Sequence, residues 1–111
     1  MTTNGELALR METAEDDDDT IWDIAYALYG FPPVLIGPRQ EATVATALRG
    51  SMDAAMSLLE ACLPDRHWVV SDNNAAIMNA EGTAVVGSGI GDKPSQALVA
   101  AILRAMDKET A

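Results

Sequence analysis

The segment Gly87-Ser88-Gly89-Ile90-Gly91 has the composition of a loop that binds phosphate groups. Such loops place backbone N–H groups and a helix N-terminus around an anion, and Lys93 would add a positive charge beside it. The spacing reads G-x-G-x-G and lacks the Gly-Lys-Ser/Thr ending of a P-loop, so it matches neither of the common nucleotide-binding patterns. Two interpretations stay open: a flexible connector, or a weak site for a small phosphorylated ligand. The ligand-binding residues of such a site would be Gly87, Ser88, Gly89, Gly91 and Lys93.

Nucleophilic catalysis has few residues available in this chain. Cys62 is the only cysteine and His67 is the only histidine. Cys62 falls on the apolar side of a predicted helix, where a thiol behaves as a small hydrophobic group with an elevated pKa. A catalytic nucleophile needs a base beside it, and a transition metal needs a cluster of His and Cys. The sequence therefore predicts a non-enzymatic protein with no catalytic residue, no metal and no cofactor.

The charge of the chain is strongly negative and unevenly distributed. The formal net charge is −10, and residues 1–30 carry eight acids against one base, Arg10. Such a chain repels nucleic-acid phosphates and anionic lipids, so we expect neither direct nucleic-acid binding nor membrane binding. The expected partner is a protein with a basic surface. The chain has a lone cysteine and no pattern of an N-terminal leader, and its longest apolar run is far shorter than the ~20 residues that span a bilayer. These features predict a cytoplasmic location in the host cell.

Acidic and aromatic residues meet around the first predicted helix of the folded domain. Four consecutive aspartates precede a helix that begins at Thr20, where carboxylates favour the positive end of the helix dipole. They lack the alternation and the glycine turn of a calcium loop. Aromatic side chains flank the apolar face of this helix and would bind a partner, form the seam of a homodimer, or cover an alanine-rich core. The predicted partner-binding residues are Asp16, Asp17, Asp18, Asp19, Trp22, Asp23, Tyr26 and Tyr29.

These residues sit in a chain that divides into a polar N-terminal stretch and one folded domain. Residues 1–19 lack sustained apolar periodicity and predict a disordered acidic arm, and residues 20–111 predict a single domain. Residues 40–48 mix helix-favouring and strand-favouring types, and we predict an irregular or extended link there. Ser51 is a suitable N-cap for the next helix, which Pro64 ends.

The rest of the domain has the pattern of a β-meander followed by a helix. Short apolar runs at residues 67–71, 75–79 and 83–86 are separated by turn-forming residues, which is typical of antiparallel strands. Residues 87–91 then connect the last strand to a helix opened by Pro94. The predicted fold class is α+β, a two-layer sandwich in which a small antiparallel three- to four-stranded sheet packs against two or three helices.

Several strings in the second half of the chain resemble a known family. They are Ser51-Met52-Asp53-Ala54-Ala55, Leu58-Leu59, Leu63-Pro64, the strand-opening Trp68, Pro94-Ser95-Gln96-Ala97-Leu98 and Ala100-Ala101-Ile102-Leu103-Arg104-Ala105. The region from Ser51 to Ala105 thereby resembles small phage and prophage proteins with an "ABA sandwich" domain. The resemblance implies a phage or prophage origin and supports the fold, but it implies no catalytic residues. The acidic arm and Gly30-Phe31-Pro32-Pro33 have no counterpart in that family.

Together these features predict a non-enzymatic, phage-type accessory protein that binds a host or phage protein through an acidic surface. A sharper alternative is a DNA mimic that inhibits a host defence complex of the CRISPR or restriction type, because spaced carboxylates imitate phosphates in a basic groove. Two further alternatives are a binder of small phosphorylated ligands that uses Gly87–Gly91, and a structural subunit of a larger particle.

Overall fold

A computed structural model of the 111-residue chain describes residues 4–13, 18–29, 38–63, 66–79 and 81–110. Within these ranges the chain forms five α-helices and three β-strands, so the predicted α+β class is confirmed. The elements are α1 (Asn4–Glu12), α2 (Asp18–Tyr29), α3 (Pro38–Leu48), α4 (Met52–Cys62), β1 (Trp68–Val70), β2 (Asn74–Met78), β3 (Val85–Ile90) and α5 (Pro94–Thr110). Among the described residues, no helix has the length and apolar character that crossing a membrane requires.

The three strands form one antiparallel sheet in the order β1-β2-β3. Trp68 lies opposite Ile77 in the first pair, and Ala75 lies opposite Gly89 in the second. The predicted meander is therefore confirmed. The prediction of a flexible connector over residues 87–91 is wrong, because β3 continues through Ile90 and includes most of that segment.

Helix α5 covers one face of the sheet and contacts all three strands. Its alanines face Gly87 and Gly89 of β3 at very short range. A Cβ atom added to Gly89 would lie 2.8 Å from the backbone nitrogen of Ala101, and one added to Gly87 would lie 2.5 Å from that of Ala105. Small residues on both elements let the two backbones approach closely. The glycines are thus explained by helix–strand packing, and not by the conformational freedom of a loop.

Helix α1 occupies part of the stretch that the sequence predicts to be disordered. Leu7, Ala8 and Met11 are 2 %, 0 % and 0 % exposed, and α1 packs against α5. The three positions form a narrow apolar stripe on a helix whose other residues, except the exposed Leu9, are polar or glycine, and the helix is too short to be stable alone. Burial against α5 supplies the stability that local sequence lacks. The prediction of a disordered arm over residues 1–19 is therefore corrected for residues 4–12.

Residues 38–48 form helix α3, where the sequence predicts an irregular or extended link. Val44, Ala47 and Leu48 are buried, at the i, i+3 and i+4 spacing of one helix face. Thr and Val lower helix propensity by only a few tenths of a kcal/mol each, roughly, so burial of this face outweighs them.

The C-terminal end of α3 is held by side chains from the start of α5. The hydroxyl of Ser95 donates a hydrogen bond to the carbonyl oxygen of Ala47 at 2.7 Å, and Nε2 of Gln96 donates to that of Leu48 at 2.7 Å. Both side chains are buried. The last carbonyl groups of a helix have no hydrogen-bond partner within the helix. A buried carbonyl without a partner costs free energy, and these two bonds avoid that cost.

Helices α2 and α4 agree with the sequence-based prediction. Ile21, Ala25 and Leu28 of α2 are buried together. Ser51 is the N-cap of α4, and its hydroxyl accepts a hydrogen bond from the backbone N–H of Ala54 at 3.2 Å. Helix α4 packs against α3, α5 and α2, so all the described helices join one core with α5 at its centre.

Candidate functional site

The predicted partner-binding surface on the acidic arm and α2 lies only partly within the described residues. Asp16 and Asp17 lie outside them. So do the side chains of Asp18, Asp19, Trp22, Tyr26 and Tyr29. Asp23 is described: its carboxylate is partly exposed and lies 4.0 Å from the guanidinium of Arg10 in α1, a distance at which an exposed ion pair is weak. The assignment of these residues to a partner-binding surface stays a prediction.

The glycine-rich segment does not form the predicted anion-binding loop. In β3 the backbone N–H groups point alternately to opposite sides and do not converge on one point, as a phosphate site requires. The N–H of Gly91 donates to the carbonyl oxygen of Asn73, so it is already used between the strands. The ammonium of Lys93 donates to the carbonyl oxygen of Arg49 at the end of α3. Ser88 is exposed on the sheet and takes no part in that lysine contact.

The best-formed polar cluster joins α1, α5 and β3. Nη2 of Arg104 donates to Oε1 of Glu12 at 2.8 Å, and Nη1 donates to Oε2 at 2.5 Å, which makes a bidentate ion pair. Oε2 of Glu12 also accepts a hydrogen bond from the backbone N–H of Ile90 at 2.8 Å. Nη1 of Arg104 donates to the carbonyl oxygen of Ser88 at 2.9 Å.

This ion pair remains charged at neutral pH. The Glu12 side chain is 7 % exposed and that of Arg104 is 34 % exposed. The hydrogen bonds from Arg104 lower the pKa of Glu12, burial opposes that change, and the N–H of Ile90 adds to the lowering. The same carboxylate raises the pKa of Arg104. Each partner therefore stabilises the charged form of the other.

The cluster closes one edge of the sheet. The N–H of Gly91 bonds on the β2 side of β3. Because successive residues of a strand point their backbone groups to opposite sides, the N–H of Ile90 and the carbonyl of Ser88 point away from β2. A fourth strand would bond to these two groups, and Glu12 and Arg104 occupy them instead. Covering an edge strand in this way prevents pairing with another chain. Neither residue was singled out as a site in the sequence, because α1 was predicted to be disordered.

Cys62 is held inside the fold, whereas His67 lies at the surface. The thiol of Cys62 donates to the carbonyl oxygen of Leu28 at 3.0 Å. Burial raises the pKa of this thiol to about 11, so it stays protonated and poorly nucleophilic at neutral pH. His67 is exposed, and its ring lies against Gly82, which has a φ of 73°. The expectation of a non-enzymatic protein stays a prediction.

The described surface carries far more acids than bases. Six acidic residues are exposed there, against two lysines or arginines. The acids are Glu6, Asp53, Glu60, Asp72, Glu81 and Asp92, and the bases are Arg49 and Lys93. In the part of the chain that the structure describes, no three His, Cys, Asp or Glu residues are grouped so that they could hold a metal ion.

A second surface that the sequence reading missed is the sheet face opposite α5. Val69, Val85 and Ile90 are 52 %, 57 % and 64 % exposed there. Alternation of residue types along the strands could have indicated this face. The glycines around Ile90 predict a connector, however, so the sequence places Ile90 outside the sheet.

No family model, curated protein or solved structure matches the chain. The resemblance to phage proteins with an "ABA sandwich" domain therefore stays a prediction, and the functional argument rests on geometry and charge.

Proposed function

We propose that the protein is a small, non-enzymatic, phage-type accessory protein that binds a host or phage protein with a basic surface. The observation that supports this proposal is the excess of exposed acids over exposed bases on the described surface, six against two, in a chain of net charge −10. Such a field accelerates association with basic partners and disfavours phosphate backbones and anionic lipids. The expected location is the cytoplasm of the host cell.

The strongest polar contacts in the described residues also fit a binding protein. Glu12, Arg104, Ser95 and the Nε2 group of Gln96 make hydrogen bonds that join one element of secondary structure to another. The exposed acids, in contrast, are spread over several elements, and five of them, Asp53, Glu60, Asp72, Glu81 and Asp92, place their carboxylates at the surface outside these contacts. Charge is therefore the property that this surface offers to another molecule.

Proteins that bind nucleic acids are one class with a basic groove, and the sharper form of the proposal is DNA mimicry. In that case the protein would occupy the groove that DNA occupies in a host defence complex. Purified defence complexes should then lose DNA binding in competition with this protein. Simultaneous binding of DNA and the protein would contradict mimicry, although it would leave a basic partner possible.

The test begins with capture of partners from host lysate, followed by affinity measurements on the purified pair at increasing salt. Exposed charges act over about 10 Å at 0.1 M salt and about 3 Å at 1 M, so affinity should fall steeply. Changing Asp16 to Asp19 into asparagine should weaken binding further. Deleting residues 1–19 is unsuitable, because the deletion would remove the buried side chains of α1. Affinity indifferent to both salt and the asparagine changes would overturn the proposal.

A further inference from the structure

The two faces of the sheet differ in what covers them. Ala75 and Ile77 of β2 point towards α5 and are buried, while Asn74, Ala76 and Met78 point to the opposite side. We call that opposite side the outer face. Its members, placed by the strand register, are Val69, Asn74, Ala76, Met78, Val85, Ser88 and Ile90.

The outer face carries no charge and is largely open. Val69, Val85 and Ile90 keep more than half of their surface exposed, whereas Ile77 on the covered face keeps none. None of the three strands contains a charged residue. In a chain this acidic, large aliphatic side chains that stay exposed on an uncharged sheet face indicate an interaction surface.

Acidic residues lie at one end of the sheet. Asp72 lies in the turn between β1 and β2, and Asp92 follows β3, so both lie at the end of the sheet where Ile90 stands. Both are exposed. Lys93 keeps its positive charge, but its ammonium is held towards the C-terminal end of α3, where it donates to the carbonyl oxygen of Arg49, and it is one base beside two acids. At the other end, Glu81 shares a hollow with Arg66 and His67, so the charge there is balanced.

The size and charge of the outer face fit one helix better than a second copy of the sheet. Three strands spaced about 4.8 Å apart separate the outer backbones by about 10 Å, which is close to the 10–12 Å diameter of a helix. Six residues of β3 extend about 20 Å, the length of about 14 helical residues. Two copies of the chain would each bring a net charge of −10, and this repulsion disfavours the pairing of two outer faces.

The geometry points to the outer face as the docking site for an amphipathic helix of a partner protein. The apolar stripe of that helix covers Val69, Val85 and Ile90, and its lysines or arginines lie over Asp72 and Asp92. The sheet then has a helical layer on both faces, as layered α/β architectures do. This inference rests on the proposed function, because it takes the partner to be a basic protein, and it adds where and with what element that partner binds.

A stapled helical peptide of about 14 residues, with leucines on one face and lysines on the other, is the probe for this site. The protein is followed by backbone amide NMR during titration. The largest shifts should fall on β1, β2 and β3 outer-face residues. The double variant Val85→Ser with Ile90→Ser should weaken binding about tenfold or more, since it removes most of the apolar contact. Leu9→Ser, an equally exposed aliphatic position on α1, is the matched control and should bind as wild type does.

The charge contribution is tested separately. The double variant Asp72→Asn with Asp92→Asn should lower the affinity for the lysine peptide about threefold to tenfold. A peptide with glutamates in place of the lysines should bind poorly to the unchanged protein. Amide shifts on α1 and α2 alone, full affinity of the Val85/Ile90 double variant, or equal binding of the two peptides would each overturn the inference. A captured partner whose binding depends on the acidic arm and ignores the outer-face variants would also overturn it, while leaving the proposed function standing. If the affinity for every captured partner were independent of salt, that result would instead count against the proposed function.

Discussion

The two faces of the same three-stranded sheet are built in opposite ways. On the α5 side, glycine and alanine bring backbones close together, and the largest side chain of β2, Ile77, is fully buried. On the outer face, valine and isoleucine are exposed. The α5 side buries Ile77 together with its small residues, whereas Val69, Val85 and Ile90 on the outer face stay more than half exposed.

This contrast separates residues that stabilise the fold from residues that remain available for binding. A free aliphatic face contributes little to folding, because its side chains stay in water in the native state. Substitutions on the α5 side of the sheet should therefore lower stability most, and substitutions on the outer face should lower it least. The edge cluster at Glu12 should have an effect between the two. Substitutions at matched positions can test that order.

The largest effect is expected at Gly89. Its change to valine would place a Cβ 2.8 Å from the backbone nitrogen of Ala101 and even nearer to the carbonyl oxygen of Ala97, so α5 would have to move away from the sheet. We expect a loss of more than about 3 kcal/mol in the free energy of unfolding, as for severe overpacking. Urea denaturation followed by circular dichroism measures the change.

The control for Gly89 is the neighbouring residue on the opposite face. Ser88→Val introduces the same side chain on the exposed outer face, where a β-branched residue suits a strand. Its stability should stay within about 0.5 kcal/mol of wild type. Equal losses for the two variants would mean that strand propensity, and not helix contact, determines the effect at Gly89.

Ile77 should show the next largest effect. Its side chain is fully buried between β2 and α5, so Ile77→Ala removes apolar contacts and leaves a cavity. A loss of about 2 to 4 kcal/mol is expected by comparison with similar core truncations. Met78→Ala, on the adjacent outer-face position, should cost clearly less. A reversal of this order, measured in the same urea titrations, would contradict the assignment of faces.

The edge cluster should have an intermediate effect. Glu12→Gln removes the charge that Arg104 and the N–H of Ile90 bind, and charge-assisted hydrogen bonds contribute about 1.5 to 3 kcal/mol. Because Gln keeps one acceptor oxygen, we expect a loss of about 1 to 2 kcal/mol at neutral pH. Glu60→Gln, at an exposed position on α4, is the control and should change stability by less than about 0.5 kcal/mol.

The pH dependence of this difference has a definite sign. The pKa of Glu12 is lower in the folded than in the unfolded chain, so its contribution is fully present above the ordinary pKa of about 4.3. It is lost as the pH falls through the lower, folded value. The stability gap between wild type and Glu12→Gln should thus shrink in acid. A gap that stayed constant down to strongly acidic pH would show that Glu12 acts by packing alone.

The sequence was sufficient for elements whose own residues carry the signal. The α4 helix has a capping serine and an apolar stripe, and the β-meander has short runs between turn residues, so both were predicted. The errors came where distant contacts decide the structure. Gly87 and Gly89 have the composition of a loop, and only the alanines of α5 make them suitable for a strand.

The same reason explains the two helices that were not predicted. Helix α1 is polar and short, and its three buried positions gain their stability from α5, far along the chain. Helix α3 has mixed propensity and ends in carbonyls that Ser95 and Gln96 satisfy. The ion pair of Glu12 with Arg104 depends on α1, so no local pattern could have indicated it. The predicted acidic and aromatic surface, in contrast, depends on side chains outside the described ones and stays a prediction.

The smallest effect is expected on the outer face, and it is the most informative about function. Val85→Ser and Ile90→Ser change side chains that are 57 % and 64 % exposed, so each should alter the free energy of unfolding by no more than about 0.5 kcal/mol. Leu9→Ser gives the reference for an exposed aliphatic position on a helix. A loss above about 2 kcal/mol at Val85 or Ile90 would mean that the folded chain itself buries this face, and a partner helix could not dock there. Near-neutral stability combined with weaker peptide binding would instead separate the two faces by role: Ile77 and Gly89 hold α5 to the sheet, and Val85 and Ile90 bind what comes from outside.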